Sequence, residues 1–264
     1  MSDSDLGARL LAVRSGALPL EHVPASLRPV SLEQAYRTAD ALLGALGAGR
    51  GAVVGYKIGA TSTKGQQLLG LQEPFFGRHF SHTIRRERDV RIEVVAGVTV
   101  EAEIGFIMAR DLPMRREPYA VADVAAAVGY AVPLLELNRP SYAHPFDVGG
   151  LSLIADNGVT HALVVGGPGL DTVREGALGR EAVRMYRNGE LIAEGMGNAV
   201  LGDPLVALAW LANALGGHGG LHVGDVVASG ALTPGLPFAA GDVITAEYAS
   251  LGSVTMSAVT AGGR

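Results

Sequence analysis

The sequence predicts an α+β fold in which a β-rich core carries helices at its periphery. Short apolar, strand-like runs dominate the chain after residue 50, whereas helical patterns dominate before it. These runs do not alternate regularly with helices, as a chain of βαβ units would require. The 37 glycines among 264 residues further predict many tight turns between short strands.

Helical patterns and cap signals define the predicted helices. Residues 4–15 carry their leucines along one side of a helix. Ser31 and Gln34 have the spacing of a capping box, which predicts a second helix from residue 31. Asp203 followed by Pro204 predicts another helix start, because aspartate favours the N-cap and proline the first turn. Shorter helices are predicted over residues 62–69 and 120–128.

The predicted strands make up most of the rest of the chain. They are residues 52–58, 90–95, 98–108, 129–137, 161–165, 225–229, 242–248 and 254–259. Residues 185–192 predict a hairpin, because Asn188-Gly189 is a strongly favoured two-residue turn. Apart from the short helix, we expect the stretch between Lys57 and Val90 to be rich in loops. No linker interrupts residues 51–264, so we predict one unit there, with residues 1–50 as a helical extension packed on it.

Composition excludes several function classes. The net charge of −5, without a basic block, argues against nucleic acid as a partner, since phosphate binding needs clustered lysine and arginine. The absence of cysteine excludes disulfides, zinc–thiolate sites and cysteine nucleophiles. No apolar run reaches the ~18 residues of a membrane span, and the first residues lack the apolar core of a signal peptide. We therefore expect a cytoplasmic protein without a membrane partner. We also expect a homo-oligomer that acts on a small molecule.

Two glutamates stand out in the apolar run over residues 98–110. Glu101 and Glu103 are two residues apart, so they point to the same face of a strand. Two carboxylates among valine, isoleucine and phenylalanine are unfavourable unless positive charge lies between them. A divalent cation such as Mg²⁺, which prefers oxygen ligands, would supply that charge. The alternative is that Glu103 faces solvent or pairs with an arginine.

A further carboxylate and a lysine extend this pattern. Glu136 closes another apolar run, AVPLLELNRP, and Lys57 lies between glycines in GYKIGATS. A lysine in an apolar strand is difficult to place as a solvated charge, and near a substrate it can transfer a proton or stabilise charge. The alternative is a lysine at a strand edge whose ammonium reaches water.

The order and approximate spacing of these segments resemble a known family. ADNG at residues 155–158, the stretch over residues 197–215 and GDVVASGALT at residues 224–233 complete the pattern. Together they resemble the 2-keto-4-pentenoate hydratase and 4-oxalocrotonate decarboxylase family, part of the fumarylacetoacetate hydrolase superfamily. The resemblance covers roughly residues 30–256, nearly the whole chain. It implies the mixed β-roll of the superfamily's catalytic domain.

The resemblance also implies a metal site and a catalytic lysine. Glu101, Glu103 and Glu136 match the family's ligands for Mg²⁺ or Mn²⁺ one for one. Lys57 matches the lysine of the element G-x-K-I/V-G-x-T-S, which implies an active-site role. Such a site would suit a 2-oxo or 2-enol acid that chelates through its carboxylate and C2 oxygen.

Further residues are implied as substrate contacts. Asp156 and Asn157 match a segment near the substrate in this family, although Asp-Asn-Gly is also a common turn. Gly230 and Thr233 would offer a backbone donor and a hydroxyl to the substrate carboxylate, although the glycine equally suits a turn.

The sequence departs from the family at positions expected to handle water. Ser81 and His82 stand where acidic residues are usual, and Val159 stands where a serine is usual. We therefore expect basic groups to select a substrate with a second polar or carboxylate end. The residues concerned are Arg78, His79, His82 and Arg139.

The predicted function is a metal-dependent lyase. A hydratase would let a 2-hydroxy-2,4-dienoate ketonise and accept water at C4, giving a 4-hydroxy-2-oxo acid. A decarboxylase of the same family is the first alternative, since it needs the same cation, lysine and chelating substrate. A C–C hydrolase on acylpyruvates and a binding protein without activity are the remaining alternatives. The sequence shows no match to the His/Glu pair that activates water in such hydrolases, although His82 keeps this alternative open. A binding protein would have no reason to retain three clustered carboxylates.

Overall fold

Six α-helices and fourteen strands form in the part of the chain that the computed structural model describes, residues 3–47, 51–86 and 90–260. The helices are α1 (Asp3–Arg14), α2 (Leu32–Gly47), α3 (Thr63–Leu69), α4 (Val121–Ala127), α5 (Gly150–Ala155) and α6 (Pro204–Ala214). The strands are β1 (Val53–Gly59), β2 (Phe75–Phe80), β3 (Ile84–Arg85), β4 (Val90–Glu93), β5 (Thr99–Met108), β6 (Val128–Asn138), β7 (Thr160–Val165), β8 (Gly167–Pro168), β9 (Ala182–Arg187), β10 (Glu190–Met196), β11 (Val226–Ala231), β12 (Leu236–Pro237), β13 (Val243–Tyr248) and β14 (Gly252–Val259). None of the described helices is both long and apolar enough to cross a bilayer.

The strands assemble into two mixed sheets. The first is barrel-like and has the order β2-β1-β11-β5-β6-β7-β3, with β12 beside β5. The second has the order β10-β9-β13-β14-β4, with β8 beside β14. Strand β1 runs parallel to β11, whereas β5 and β6 are antiparallel. The α+β class with mixed sheets and peripheral helices is thus confirmed.

Strand β5 is buried on both faces, and this explains its apolar sequence. One face carries Val100, Ala102, Ile104 and Phe106 into the main core, which also takes residues from the second sheet and from α4 and α6. The other face carries the glutamates toward the inside of the barrel-like sheet. A smaller apolar cluster fills the interior beyond them, formed by Val132, Leu134, Leu163, Val165, Val226 and Ala228.

The predicted helix caps form as expected. At α2 the Ser31 hydroxyl accepts from the Gln34 N–H at 3.2 Å, and the Gln34 carboxamide accepts from the Val30 N–H at 3.0 Å. At α6 the Asp203 carboxylate accepts from the Leu205 N–H at 2.8 Å, with Pro204 in the first turn. These bonds satisfy backbone donors that have no partner within the helix.

The sequence did not predict strand β2, the two-residue strands β3, β8 and β12, or helix α5. Residues 75–80, expected to be loop, form β2, which pairs with β1 over its whole length. Helix α5 also forms where no helix was predicted. The sequence FFGRHF shows no alternation because five of its six residues are buried, so its strand character depends on its neighbours.

An ion pair ties α1 to the core. The Arg14 guanidinium reaches Asp156 Oδ1 from Nε at 2.9 Å and from Nη2 at 2.8 Å, and Nη1 donates to the Thr160 carbonyl at 2.7 Å. Asp156 is fully buried and also accepts from the Ser141 N–H at 2.7 Å. The predicted division of the chain at residue 50 stays a prediction.

We predict that Arg14→Met lowers the free energy of unfolding by about 3–5 kcal/mol, because it leaves the buried Asp156 charge without its cation. Urea denaturation measures the loss. Arg9→Met, on the exposed side of the same helix, serves as the control and should change little. Equal midpoints for the two variants would contradict a stabilising role for the Arg14–Asp156 pair.

Candidate active site

The three glutamates meet inside the barrel-like sheet. Glu101 on β5 lies directly opposite Glu136 on β6, and Glu103 follows on the same face. One carboxylate oxygen from each lies within 4.8 Å of the others. Glu103 and Glu136 are buried, and Glu101 is partly exposed. The predicted shared face is confirmed, and the alternative that Glu103 faces solvent is wrong.

Lys57 places its ammonium group against this cluster. Its Nζ donates to Glu136 Oε2 at 3.0 Å and to Asn138 Oδ1 at 3.1 Å. The side chain is buried, with the ring centroid of Phe75 5.9 Å from Nζ. An ammonium at a strand edge that reaches water is therefore excluded.

Asn138 is a member of the site that the sequence reasoning missed. Its carboxamide oxygen accepts from Lys57, while Nδ2 donates to Glu101 Oε2 at 3.1 Å and to Glu136 Oε2 at 3.2 Å. It therefore links the lysine to two carboxylates. The available signal was its position two residues after Glu136, on the same face of β6.

A bulge in β11 holds Glu103. Between Ala228 and Ala231 the register with β5 shifts, and the Gly230 N–H donates to Glu103 Oε2 at 2.8 Å. Gly230 has φ +124°, and an added Cβ would lie 2.2 Å from Thr61 Oγ1, so glycine is required there.

Thr233 fixes the backbone of β5, the strand that carries Glu103. Its hydroxyl accepts from the Ala102 N–H at 2.9 Å, between the two glutamates of β5. Together with Gly230, it holds the carboxylates in place. Contact of either residue with a substrate stays a prediction.

The electrostatics of the cluster are unbalanced. Burial alone would lower the pKa of Lys57, but the glutamates around it outweigh that effect and raise the pKa, so the ammonium stays charged. Burial and repulsion from Glu136 raise the pKa of Glu103 well above its usual range and that of Glu101 to about 7. One ammonium group thus faces three carboxylates and does not compensate them.

The residues present fit a hard divalent cation. Glu136 Oε1 is buried and has no hydrogen-bond partner within the described residues. A buried carboxylate oxygen without a partner is unfavourable, and an all-oxygen donor set matches Mg²⁺ or Mn²⁺. A cation among the three glutamates would satisfy both the charge and the free oxygen.

His79 faces the same interior as Lys57. It lies opposite Gly55, while Gly77, two residues earlier on β2, lies opposite Lys57. Its Nδ1 is 3.0 Å from the Thr83 hydroxyl, whose own proton goes to the Phe80 carbonyl, so we assign the proton to Nδ1. Burial lowers the pKa of His79 to about 3, which leaves a neutral ring. Its Nε2 is then a buried acceptor without a partner among the described residues.

Arg78, His82 and Arg139 are not brought to the carboxylates. Arg78 lies on the opposite face of β2 from His79, with its guanidinium 5.6 Å from the Phe76 ring centroid and paired with Asp40. All three line a separate cavity of about 460 Å³, whose described lining includes neither Lys57 nor the three glutamates.

Asp156 and Asn157 have structural partners. Burial raises the pKa of Asp156, and Arg14 opposes this shift. The Asn157 carboxamide accepts from the Arg78 N–H at 2.9 Å and donates to the Arg78 carbonyl at 2.9 Å. Asn157 therefore holds β2 beside the start of β7. A substrate contact by either residue stays a prediction.

Comparisons with known proteins show the family and the fold to which the chain is similar. Residues 57–259 match the family model described as fumarylacetoacetate (FAA) hydrolase C-terminal. A TodF product hydratase of Pseudomonas putida is 36% identical over 254 residues, which cover 92% of this chain and 90% of the relative. A 2-keto-4-pentenoate hydratase of Paraburkholderia xenovorans is 35% identical over 209 residues, covering 76% and 74%. The solved 4-oxalocrotonate decarboxylase of Pseudomonas putida G7, complexed with magnesium and adipate, superposes with a TM-score of 0.86 at 25% identity, covering 98% of this chain and 99% of that one.

We predict that Asn138→Asp lowers the free energy of unfolding of the metal-free protein by about 3 kcal/mol, because it adds a fourth carboxylate to the cluster. Urea denaturation at about pH 8 measures the loss. The loss should be smaller at about pH 5, since protonation removes the added charge. Asn198→Asp, at an exposed position, is the control. A loss that does not change with pH would contradict an electrostatic cause.

Proposed function

Because this chain belongs to the fumarylacetoacetate hydrolase family, we propose that it is a metal-dependent hydratase of 2-hydroxy-2,4-dienoates that releases 4-hydroxy-2-oxo acids. The observation that carries the proposal is the buried cluster of Glu101, Glu103 and Glu136 with Lys57 against it. Relatives that are named hydratases align with this chain over most of their length, and they support water addition as the reaction.

The three glutamates would hold Mg²⁺ or Mn²⁺. Their oxygens are close enough to share one cation, and Glu136 Oε1 lacks any other partner among the described residues. When bound, the cation would act as a Lewis acid toward the carboxylate and C2 oxygen of the substrate. Asn138 and the Gly230 N–H keep the carboxylates oriented for this task.

Lys57 is assigned the proton transfer. Ketonisation moves the proton of the 2-hydroxyl group to C5 of the dienoate and makes C4 electrophilic, and water then adds there. The Lys57 ammonium is charged, buried and held at the edge of the cluster, so it is placed to carry that proton. His79, neutral and with Nε2 as a buried acceptor, is proposed to accept a hydrogen bond from substrate or water.

Decarboxylation is the second candidate. It is favoured by the similarity to the 4-oxalocrotonate decarboxylase structure over 98% of the chain. The same glutamates and lysine would serve loss of CO₂ from a chelating 2-oxo acid. Parallel assays with 2-hydroxypenta-2,4-dienoate and with a 2-oxo dicarboxylate separate the two activities, because only decarboxylation releases CO₂. The cytoplasmic location and the homo-oligomeric state stay predictions.

We predict that Glu103→Gln abolishes Mn²⁺ binding and hydratase activity while the circular dichroism spectrum stays unchanged, because one ligand and one charge are lost. Isothermal titration with MnCl₂ and loss of dienoate absorbance measure the two effects. Glu190→Gln, at an exposed carboxylate on β10, should leave both unchanged. Full activity after exhaustive treatment with EDTA would contradict the proposal.

We predict that Lys57→Ala lowers kcat by about 10²-fold or more, the range expected for a proton-transfer group. Steady-state kinetics with saturating Mg²⁺ measure the change. Lys64→Ala replaces the only other lysine, which is exposed on α3, and should be neutral. If the two variants had equal kcat values, Lys57 would have no part in the chemistry.

A further inference from the structure

A cavity of about 460 Å³ lies outside the barrel-like sheet, between α2 and the strands β2, β4 and β7. Its described lining carries five guanidinium groups and a single carboxylate, beside apolar side chains. These charged residues are Arg14, Arg78, Arg85, Arg91, Arg139 and Glu93. Leu42 and Leu46 of α2 form part of one wall.

Only part of this positive charge is neutralised. Arg14 and Arg78 are paired with Asp156 and Asp40, respectively. Within residues 3–47, 51–86 and 90–260, neither Arg85 nor Arg91 forms an ion pair. An excess of positive charge therefore remains on the part of the cavity wall that the structure describes.

The cations in the cavity also repel one another. Burial lowers the pKa of Arg139, and the neighbouring Arg14 lowers it further. Burial, Arg139 and Arg14 together lower the pKa of His161, which also lines the cavity, to about 4. A bound anion would relieve this repulsion.

Arg78 carries a donor that needs an acceptor. Its Nη2 is buried and has no hydrogen-bond partner among the described residues, although its Nη1 is paired with Asp40. The Arg78 side chain lines the cavity and is 12% exposed. A buried donor left without a partner is unfavourable, and more so when the group is charged.

We propose that this arginine-lined cavity binds a small multivalent oxyanion, a di- or tricarboxylate or a phosphate compound. Guanidinium groups match the geometry of carboxylate and phosphate oxygens and can bind them in bidentate fashion. The cavity volume is sufficient for a molecule of several carbon atoms. The site is distinct from the glutamate cluster, and it does not depend on the proposed function.

The test titrates the metal-free 264-residue protein with citrate and with inorganic phosphate at constant ionic strength. We expect saturable binding of at least one probe by calorimetry. The double variant Arg85→Gln/Arg91→Gln should bind it at least about tenfold more weakly, because two charge-assisted interactions are lost. Arg184→Gln, an exposed arginine of β9, should bind like the unmodified protein. Tighter binding of citrate supports a carboxylate ligand, and tighter binding of phosphate supports a phosphate compound.

The variant Glu103→Gln distinguishes binding in the arginine-lined cavity from binding at the glutamate cluster. It should retain anion binding. The absence of saturable binding by both probes would overturn the proposal. Binding that is lost in Glu103→Gln but kept in the arginine double variant would also overturn it, because the anion would then occupy the glutamate site. A smaller assembly for the double variant by sedimentation velocity would instead assign the arginines to a contact between chains and would equally overturn the proposal.

Discussion

Three carboxylates that face one another inside a sheet need compensating positive charge, and the first sheet is arranged around that need. The antiparallel pairing of β5 and β6 places Glu101 directly opposite Glu136, an arrangement that destabilises a sheet when both residues are charged. Lys57 supplies one cation from β1, and Asn138 and Gly230 supply neutral donors. This deficit of positive charge is the strongest physical reason to expect a divalent cation at the site.

Strand β2 separates two regions of opposite charge. Its inward face carries His79 and Gly77 beside Lys57 and the acidic interior, and its outward face carries Arg78 toward the arginine-lined cavity. Adjacent residues on a strand point to opposite sides, so His79 and Arg78 cannot serve one site. Asn157 holds both backbone groups of Arg78 and thereby fixes which residues face each region.

The parts of the site that depend on local spacing could be predicted, and those that depend on long-range pairing could not. The two-residue spacing of Glu101 and Glu103 was sufficient to place them on one face. Glu136 lies close to these two glutamates because of the register of β5 and β6. Only the family resemblance predicted that proximity. Strand β2 was missed because burial on both faces removes alternation. Without that strand, the opposite orientations of Arg78 and His79 could not be foreseen.

The position of β11 in the first sheet has a consequence for biosynthesis. Strand β11 lies between β1 and β5, and its Ala228 lies opposite Lys57 of β1. Strand β1, which carries Lys57, and strands β5 and β6, which carry the three glutamates, therefore leave the ribosome long before β11. Strand β11 is the one that joins β1 to β5 in the sheet. Until β11 is synthesised, one side of β1 and one side of β5 remain unpaired edges, which are prone to pair with other chains. Completion of the acidic site and protection from aggregation thus coincide late in synthesis of the chain.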